Sequence, residues 1–167
     1  EKKPDEFMHT CESGWTSFTN SCYRKYESEN MNWNNAQRQC EFNDANLVSI
    51  ESKSENDYVG QMLHNREGFI GYKKSSLNGA WTWYGSNSQI APIEYSKAMY
   101  DADDSKNSRN NGRCTLIDEK GIFQPIDCEE KIKVPIICEQ APVDELCSCA
   151  NGWVKNGCSC YQQNKRK

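Results

Sequence analysis

Apolar positions at helical spacing mark a first helix in the N-terminal third of the chain. Trp33, Ala36 and Cys40 follow one another at intervals of three and four residues, which places them on one face of a helix. Asn30 or Asn32 precedes this segment, and either side chain is suited to cap the first turn. The pattern therefore predicts a helix that buries the face carrying Trp33.

A second helix is predicted after Ser52. Ser52 is a candidate N-cap, and Glu55 lies three residues later, where a capping-box partner is expected. The apolar positions that follow should pack against the rest of the protein. They are Tyr58 and Met62, with Val59 and Leu63 as further candidates.

Short apolar runs bounded by turn residues predict strands elsewhere. The opening stretch "CESGWTSFTNSCYRKY" has a turn signal at Asn20 and Ser21 and predicts a hairpin closed by Cys11 and Cys22. Further strands are predicted at "LVSI", "GFIGY", "AWTWYG", "CTLI", "GIFQPIDC" and "VPIICEQ". Pro125 in "GIFQPIDC" is unusual, because proline cannot donate to a strand ladder.

Two polar regions lack any such pattern. Residues 1–10 are charged and aperiodic, which predicts a flexible N-terminal tail. Residues 86–113 include "DADDSKNSRNNGR", in which alanine is the one apolar residue, so a solvated loop is predicted. Long loops within compact domains are often functional.

The ten cysteines are the most informative feature of the composition. An even and high cysteine count predicts disulfides and a secreted or extracellular location, either as a free protein or as the ectodomain of a membrane protein. We recognise no signal peptide and no apolar run of about 20 residues, so a mature form or an excised ectodomain is expected. The net charge is −4 and no basic stripe is present, so nucleic acid is not an expected partner.

Taken together, these segments resemble the C-type lectin-like domain over residues 11–140. The matching elements are "CESGW", "CY" at 22–23, "WNNAQRQC", "ANLVSIESKSEN", "FIG" at 69–71, "WTW" at 81–83 and the closing "IICE". The resemblance implies an α+β fold with two helices, small antiparallel sheets and a long irregular loop region that bears the ligand site. It divides the chain into a tail at 1–10, the domain at 11–140 and a cysteine-rich linker and hairpin at 141–167.

The resemblance also implies three disulfides. They are Cys11–Cys22, Cys40–Cys138 and Cys114–Cys128. The second closes almost a hundred residues and contributes about 4–5 kcal/mol in the chain-entropy model.

Sugar-binding members of this family carry Trp-Asn-Asp in the closing strand, where Asn and Asp bind a calcium ion that also contacts sugar hydroxyls. This chain has Phe123, Gln124 and Pro125 at those positions, and calcium needs six to eight oxygen ligands. The family's second motif, Glu-Pro-Asn or Gln-Pro-Asp, is also missing. Asp101, Asp103 and Asp104 are the nearest substitutes, and we interpret them as a solvated acidic loop, with an improvised calcium site as the alternative.

A separate structural calcium site is implied by the family pattern. Its matching positions are Ser49, Glu51, Glu55 and Glu139. The alternative is that Glu51 and Glu139 are exposed charges and that Glu55 only caps the helix. A structural calcium is the one cofactor that the sequence suggests.

The C-terminal tail repeats the opening hairpin. "CANGW" and "CY" at 160–161 follow "CESGW" and "CY" at 22–23 with an offset of 138 residues, as at the start of a second lectin-like domain. We favour two disulfides in the tail, Cys147–Cys158 and Cys149–Cys160. Zinc binding, and intermolecular disulfides that form a covalent dimer, are the alternatives.

No enzyme is predicted. His9 and His64 are expected at the surface, and every cysteine has a candidate disulfide partner. We find no phosphate-binding loop, zinc-binding helix motif or nucleophile elbow in the sequence.

The leading functional hypothesis is an extracellular recognition module that binds a protein partner. Tyrosine and arginine are favoured at interface hot spots. The candidate contacts are Tyr84, Tyr95, Met99, Tyr100, Arg109, Arg113 and Phe123. The rival hypothesis is a glycan-binding lectin with an atypical site, in which aromatics stack on sugar faces and loop carboxylates such as Asp101 and Asp103, or amides, bind the hydroxyls. The amides are those of Asn87, Gln89, Asn107, Asn110 and Gln124. A third is an assembly role in which the tail links copies into a covalent or non-covalent homodimer.

Overall fold

The computed structural model describes residues 11–77, 79–85, 113–141, 153–156 and 159–162. The predicted tail at 1–10 and nearly all of the predicted loop at 86–113 lie outside these ranges. Across the described ranges, no helix has the length and apolar character needed to cross a membrane.

Eleven strands and two helices are assigned in the described ranges. The strands are β1 (Thr16–Phe18), β2 (Ser21–Tyr26), β3 (Asn46–Leu47), β4 (Gly68–Ile70), β5 (Tyr72–Lys74), β6 (Trp81–Trp83), β7 (Cys114–Ile117), β8 (Phe123–Ile126), β9 (Ile136–Gln140), β10 (Trp153–Asn156) and β11 (Ser159–Gln162). The helices are α1 (Trp33–Phe42) and α2 (Lys53–Met62). The predicted α+β class is confirmed.

One seven-stranded sheet organises the domain. Its strand order is β1-β2-β9-β4-β7-β8, and β3 pairs with β9 as well. The β2–β9 ladder is antiparallel and joins the opening of the domain to its closing strand. A separate two-stranded sheet is formed by β5 and β6.

Helix α1 forms as its spacing predicts. The side-chain oxygen of Asn32 accepts a hydrogen bond from the amide of Asn35 at 3.0 Å, so Asn32 is the N-cap. Trp33, Ala36 and Cys40 are buried. The indole of Trp33 also donates to the carbonyl of Ile70 at 2.8 Å, which fixes the helix against β4.

Helix α2 begins at the predicted cap and turns the predicted apolar positions to the core. The hydroxyl of Ser52 accepts from the amide of Glu55 at 3.1 Å. Val59 and Leu63 are fully buried, whereas Tyr58 and Met62 are only partly buried at the edge of the core. The predicted buried face is therefore confirmed, with Val59 and Leu63 buried more deeply than Tyr58 and Met62.

The turn between β7 and β8 explains which face of α2 is buried. Asn56 donates from its side-chain amide to the carbonyl of Gly121 at 3.0 Å. A Cβ atom on Gly60 would lie 2.8 Å from the carbonyl oxygen of Glu119. The helix thus approaches this turn through its smallest residue, and Val59 and Leu63 face the core.

Strand β8 shows why Pro125 is tolerated. In the described sheet β8 lies at the edge and pairs only with β7, with Pro125 opposite Thr115. Edge strands and bulges are the places where proline occurs in sheets, because its missing donor need not break a central ladder.

All three disulfides implied by the resemblance are present. They are Cys11–Cys22, Cys40–Cys138 and Cys114–Cys128. Cys147, Cys149 and Cys158, and the side chain of Cys160, lie outside the described part, so the pairing predicted for the tail stays a prediction.

The tail hairpin has the same register as the opening hairpin. Val154 faces Tyr161 in β10–β11, as Thr16 faces Tyr23 in β1–β2. The two following pairs agree in the same way. The repeat therefore extends from sequence to backbone pairing, while the interpretation as a second domain remains a prediction.

We expect Gly60→Ala to destabilise the protein by about 1–3 kcal/mol, since the added methyl group meets backbone rather than a movable side chain. This loss should exceed the gain of about 1 kcal/mol from the higher helix propensity of alanine. Urea-induced unfolding measures the net change in the free energy of unfolding. Gln61→Ala, at an exposed position of the same helix, is the control and should change little. A Gly60→Ala variant as stable as the wild type would show that the helix can move away from the turn.

Candidate functional site

A pair of carboxylates surrounds the hydroxyl of Tyr23. Tyr23 comes from β2 and Glu139 from β9, and the two residues face each other in the ladder. Glu55 comes from the first turn of α2, where Ser52 caps the helix. The Tyr23 hydroxyl donates to Glu55 Oε1 at 2.8 Å.

Both carboxylates accept further hydrogen bonds from the protein. Glu139 accepts from the Ser21 hydroxyl at 2.9 Å and from the Ser49 amide at 3.0 Å. Glu55 Oε2 accepts from the Glu51 amide at 2.8 Å. Each of the four carboxylate oxygens therefore has one donor in the protein.

Burial dominates the electrostatics of this group. Loss of solvent raises the pKa of Glu139 from 4.5 to about 7, assisted by the nearby charges of Glu55 and Glu51 and opposed by the donors from Ser49 and Ser21. Burial also raises the pKa of Glu55. Burial, the charge of Glu139 and the hydrogen bond to Glu55 raise the pKa of Tyr23, so its hydroxyl remains a donor.

Ser49, Glu51 and Glu139 line a cleft of about 220 Å³, which we call the carboxylate cleft. Its other lining residues are Asn20, Ser21, Asn46, Leu47, Gly85 and Ala141. Glu55 is buried and does not line it. The structure thus brings the four predicted calcium residues into one hydrogen-bonded neighbourhood, with three of them at the cleft.

The fit of these residues to calcium is incomplete. Carboxylate and hydroxyl oxygens are the ligands that calcium prefers. Among the described residues, however, no three Asp, Glu, His or Cys side chains are grouped closely enough to hold one metal ion. Each carboxylate oxygen of Glu55 and Glu139 already accepts one hydrogen bond, with Tyr23, Ser21, Ser49 and Glu51 as the donors.

Phe123 is not a surface residue, so its predicted role as a ligand contact is wrong. Its side chain is fully buried. The ring packs edge-to-face against Trp83 with centroids 5.8 Å apart, and lies 5.9 Å from Tyr72. An aromatic side chain in this cluster contributes to the core and cannot contact a ligand.

The other two positions of the altered motif differ in exposure. Gln124 is half-buried and Pro125 is buried. Gln124 therefore keeps some access to solvent, and the position that carries Asp in sugar-binding members is filled by an apolar ring within the sheet.

Tyr84 and Arg113 are exposed, as predicted, and the structure brings them together. Both line a cleft of about 410 Å³ beside the β5–β6 hairpin. Tyr84 is 47% exposed and packs edge-on against Trp33 at 5.5 Å. The remaining predicted ligand residues, Tyr95, Tyr100, Asp101, Asp103 and Arg109, lie outside the described residues.

The sequence reasoning missed Lys73. Its ammonium group lies 4.7 Å from the centre of the Trp33 ring, and it lines the same cleft as Tyr84. The available signal was "YKKSSL", in which two lysines precede a turn after an apolar strand. That signal is weak, because exposed lysines at a hairpin end are common.

Comparison with known proteins decides the family. A family model described as "Lectin C-type domain" matches residues 29–140. The chain belongs to this family. The predicted resemblance is confirmed, and the matched range of the lectin C-type domain holds α1, α2 and the strands from β3 to β9.

Two receptors are among the similar proteins. The secretory phospholipase A2 receptor of Mus musculus is 25% identical over 165 residues, covering 91% of this chain and 10% of that protein. The human C-type mannose receptor 2 is 28% identical over 136 residues, covering 79% of this chain and 9% of the receptor. The chain thus spans about a tenth of the length of either receptor.

The fold of the lectin C-type domain is also seen in solved structures. The carbohydrate-recognition domain of cow CD23, determined with a GlcNAc2Man3 oligosaccharide, superposes with a TM-score of 0.65 at 21% identity. The match covers 81% of this chain and 99% of that domain. At this identity the likeness establishes the fold.

The raised pKa of Glu139 predicts that stability falls as pH rises in the presence of EDTA. In the folded state the Glu139 carboxyl keeps its proton up to about pH 7, whereas in the unfolded chain it releases the proton near pH 4.5. The stabilising contribution is therefore present below pH 4.5 and is lost as pH rises to 7, with a size of about 1–3 kcal/mol. Glu139→Gln should flatten this dependence, measured by urea unfolding at several pH values.

Glu119→Gln in the exposed β7–β8 turn is the matched control and should keep the wild-type pH dependence. If Glu139→Gln kept the same dependence as the wild type, Glu139 would not be its source.

Proposed function

We propose that this lectin C-type domain is an extracellular recognition module that binds a protein partner without a calcium-bridged sugar contact. The observation that carries the proposal is strand β8. Calcium needs six to eight oxygens, and here the motif positions hold buried Phe123, half-buried Gln124 and buried Pro125. Gln124 offers a single side-chain carbonyl and Pro125 offers no side-chain oxygen.

The relatives support an extracellular receptor role but not a ligand class. One is named for a secretory phospholipase, which is a protein, and another for mannose, which is a sugar. Three disulfides in the domain also favour an oxidising compartment. The choice between protein and glycan therefore depends on β8 rather than on the names of relatives.

A glycan array in calcium and again in EDTA tests the proposal. We expect no calcium-dependent binding, because the β8 positions cannot complete a calcium site that also contacts sugar hydroxyls. The cow CD23 domain, whose structure was determined with an oligosaccharide, is the positive control. Calcium-dependent glycan binding by this chain would overturn the proposal, and binding that survives EDTA would favour the rival glycan lectin.

We further propose a structural calcium at Ser49, Glu51, Glu55 and Glu139. What supports it is a pair of partly buried carboxylates with raised pKa values, Glu55 and Glu139, whose neighbours include Ser49 and Glu51. No ion pair among the described residues involves either Glu55 or Glu139. A cation would offset the mutual repulsion of these charges.

Adding calcium to EDTA-treated protein at pH 7.5 should raise the free energy of unfolding by about 2.7 kcal/mol at a hundredfold excess over Kd. The gain should shrink at pH 5.5, because protons compete for the same carboxylates. Thermal unfolding with and without calcium measures it, and magnesium serves as the ion control. Glu139→Gln should abolish the gain. A wild-type protein with no thermal shift in calcium would contradict the site.

A further inference from the structure

The larger cleft beside the β5–β6 hairpin has no assigned role. We call it the Tyr84 cleft and define it by Lys73, Lys74, Leu77, Tyr84, Arg113 and Glu129. Its volume of about 410 Å³ exceeds the 220 Å³ of the carboxylate cleft. It shares no residue with the carboxylate cleft or with the altered β8 motif.

The Tyr84 cleft is built on a rigid base. Trp33 is 1% exposed and is anchored by its indole hydrogen bond to Ile70. Lys73 lies over the Trp33 ring and Tyr84 packs against the ring edge. Since an aromatic face attracts a cation, the Trp33 ring favours this position of the ammonium beside the Tyr84 phenol.

Main-chain hydrogen bonds position the other groups. The amide of Lys74 donates to the carbonyl of Arg113 at 2.7 Å, which holds the end of β5 beside the start of β7. The amide of Tyr84 donates to the carbonyl of Gly71 at 2.8 Å. Lys74 and Arg113 are therefore held side by side by a backbone hydrogen bond.

Charge favours an anionic partner at this cleft. Lys73, Lys74 and Arg113 line it, opposed by Glu129 alone among its defining residues, although the chain as a whole has a net charge of −4. An anion placed between Lys73 and Arg113 would be attracted to both charges. Arginine also pairs with carboxylates through two parallel hydrogen bonds.

An apolar side chain at the rim favours a protein over a polyanionic glycan. Leu77 is 96% exposed, in a turn held by hydrogen bonds from Leu77 and Gly79 to Ser75. An aliphatic side chain gains by burial against another apolar group. A highly charged sugar chain offers little such surface, whereas a peptide offers both carboxylates and apolar side chains.

We propose that the Tyr84 cleft binds an acidic segment of a protein partner, with carboxylates at Lys73 and Arg113 and an apolar side chain against Leu77 and Tyr84. This inference rests on the proposed function and names the chemistry of the partner segment.

The probe is a fluorescein-labelled heptapeptide with three glutamates on either side of one central leucine, titrated with the whole chain in EDTA and followed by fluorescence anisotropy. We expect saturable binding below about 1 mM that weakens as salt is raised, since the contacts are solvent-exposed. Arg113→Glu should weaken binding at least about tenfold, because a charge-assisted hydrogen bond is replaced by repulsion. Leu77→Ser should weaken it about threefold.

Lys120→Glu is the matched control. It makes the same charge change at an exposed position in the β7–β8 turn, at the end of that hairpin opposite Cys114 and Cys128, and should leave affinity within about twofold. Arg113 and Leu77 are both exposed, so their variants should fold, and Arg113→Gln provides a milder second variant.

Three results would overturn the inference. They are no peptide binding at 1 mM, equal losses in Arg113→Glu and Lys120→Glu, and displacement of the peptide by a heparin oligosaccharide that binds more tightly in an Arg113-dependent manner. The last would assign the cleft to sulfated glycans. Calcium-dependent binding on the glycan array would overturn the proposed function itself, whereas a protein ligand indifferent to Arg113→Glu would overturn only this assignment.

Discussion

The antiparallel ladder between β2 and β9 is the constraint on which the rest of the domain depends. It pairs five residues on each strand, and β9 also pairs with β3 and β4. Cys40–Cys138 links α1 to the same strand across 98 residues. Contacts this distant in sequence are costly to close, so the disulfide and the ladder together hold the ends of the domain in one sheet.

The same ladder creates the carboxylate group. Tyr23 and Glu139 are adjacent only because β2 and β9 pair in this register. The capped first turn of α2 then adds Glu55 above the tyrosine. A network of charged groups in partial burial is stable only if its hydrogen bonds are satisfied, and here each carboxylate oxygen has a donor.

Much of the fold could be predicted because its signals are local. The spacing of Trp33, Ala36 and Cys40 depends on helix geometry alone, and Asn32 and Ser52 cap through neighbouring amides. The strands are likewise predicted from short apolar runs and the turn residues that bound them. The local hairpin signal also predicted Cys11–Cys22, whereas Cys40–Cys138 and Cys114–Cys128 were predicted from the resemblance to a family.

What could not be predicted depends on contacts far apart in the chain. How deeply each apolar residue of α2 is buried depends on the contact of the helix with the turn at Glu119 and Gly121. That turn lies about sixty residues away in the chain. The motif predicts that Phe123 lies in the strand now assigned as β8, but it does not predict which face of the sheet carries the ring. Lys73 gained significance only when the fold placed it over Trp33, about forty residues earlier.

Strand β8 differs from the metal-binding motif of sugar-binding members both in chemistry and in burial. Where sugar-binding members carry Asn and Asp, this chain has half-buried Gln124 and buried Pro125, and Phe123, at the Trp position, packs against Trp83 and Tyr72. The aromatic cluster around Phe123 holds this end of the sheet, because a closely packed core resists rearrangement. An ordered charged surface is found around Trp33. The buried Trp33 ring contacts Lys73 on its face and Tyr84 at its edge. An interface that is already ordered loses less entropy on binding, so recognition without a metal is physically consistent with this arrangement.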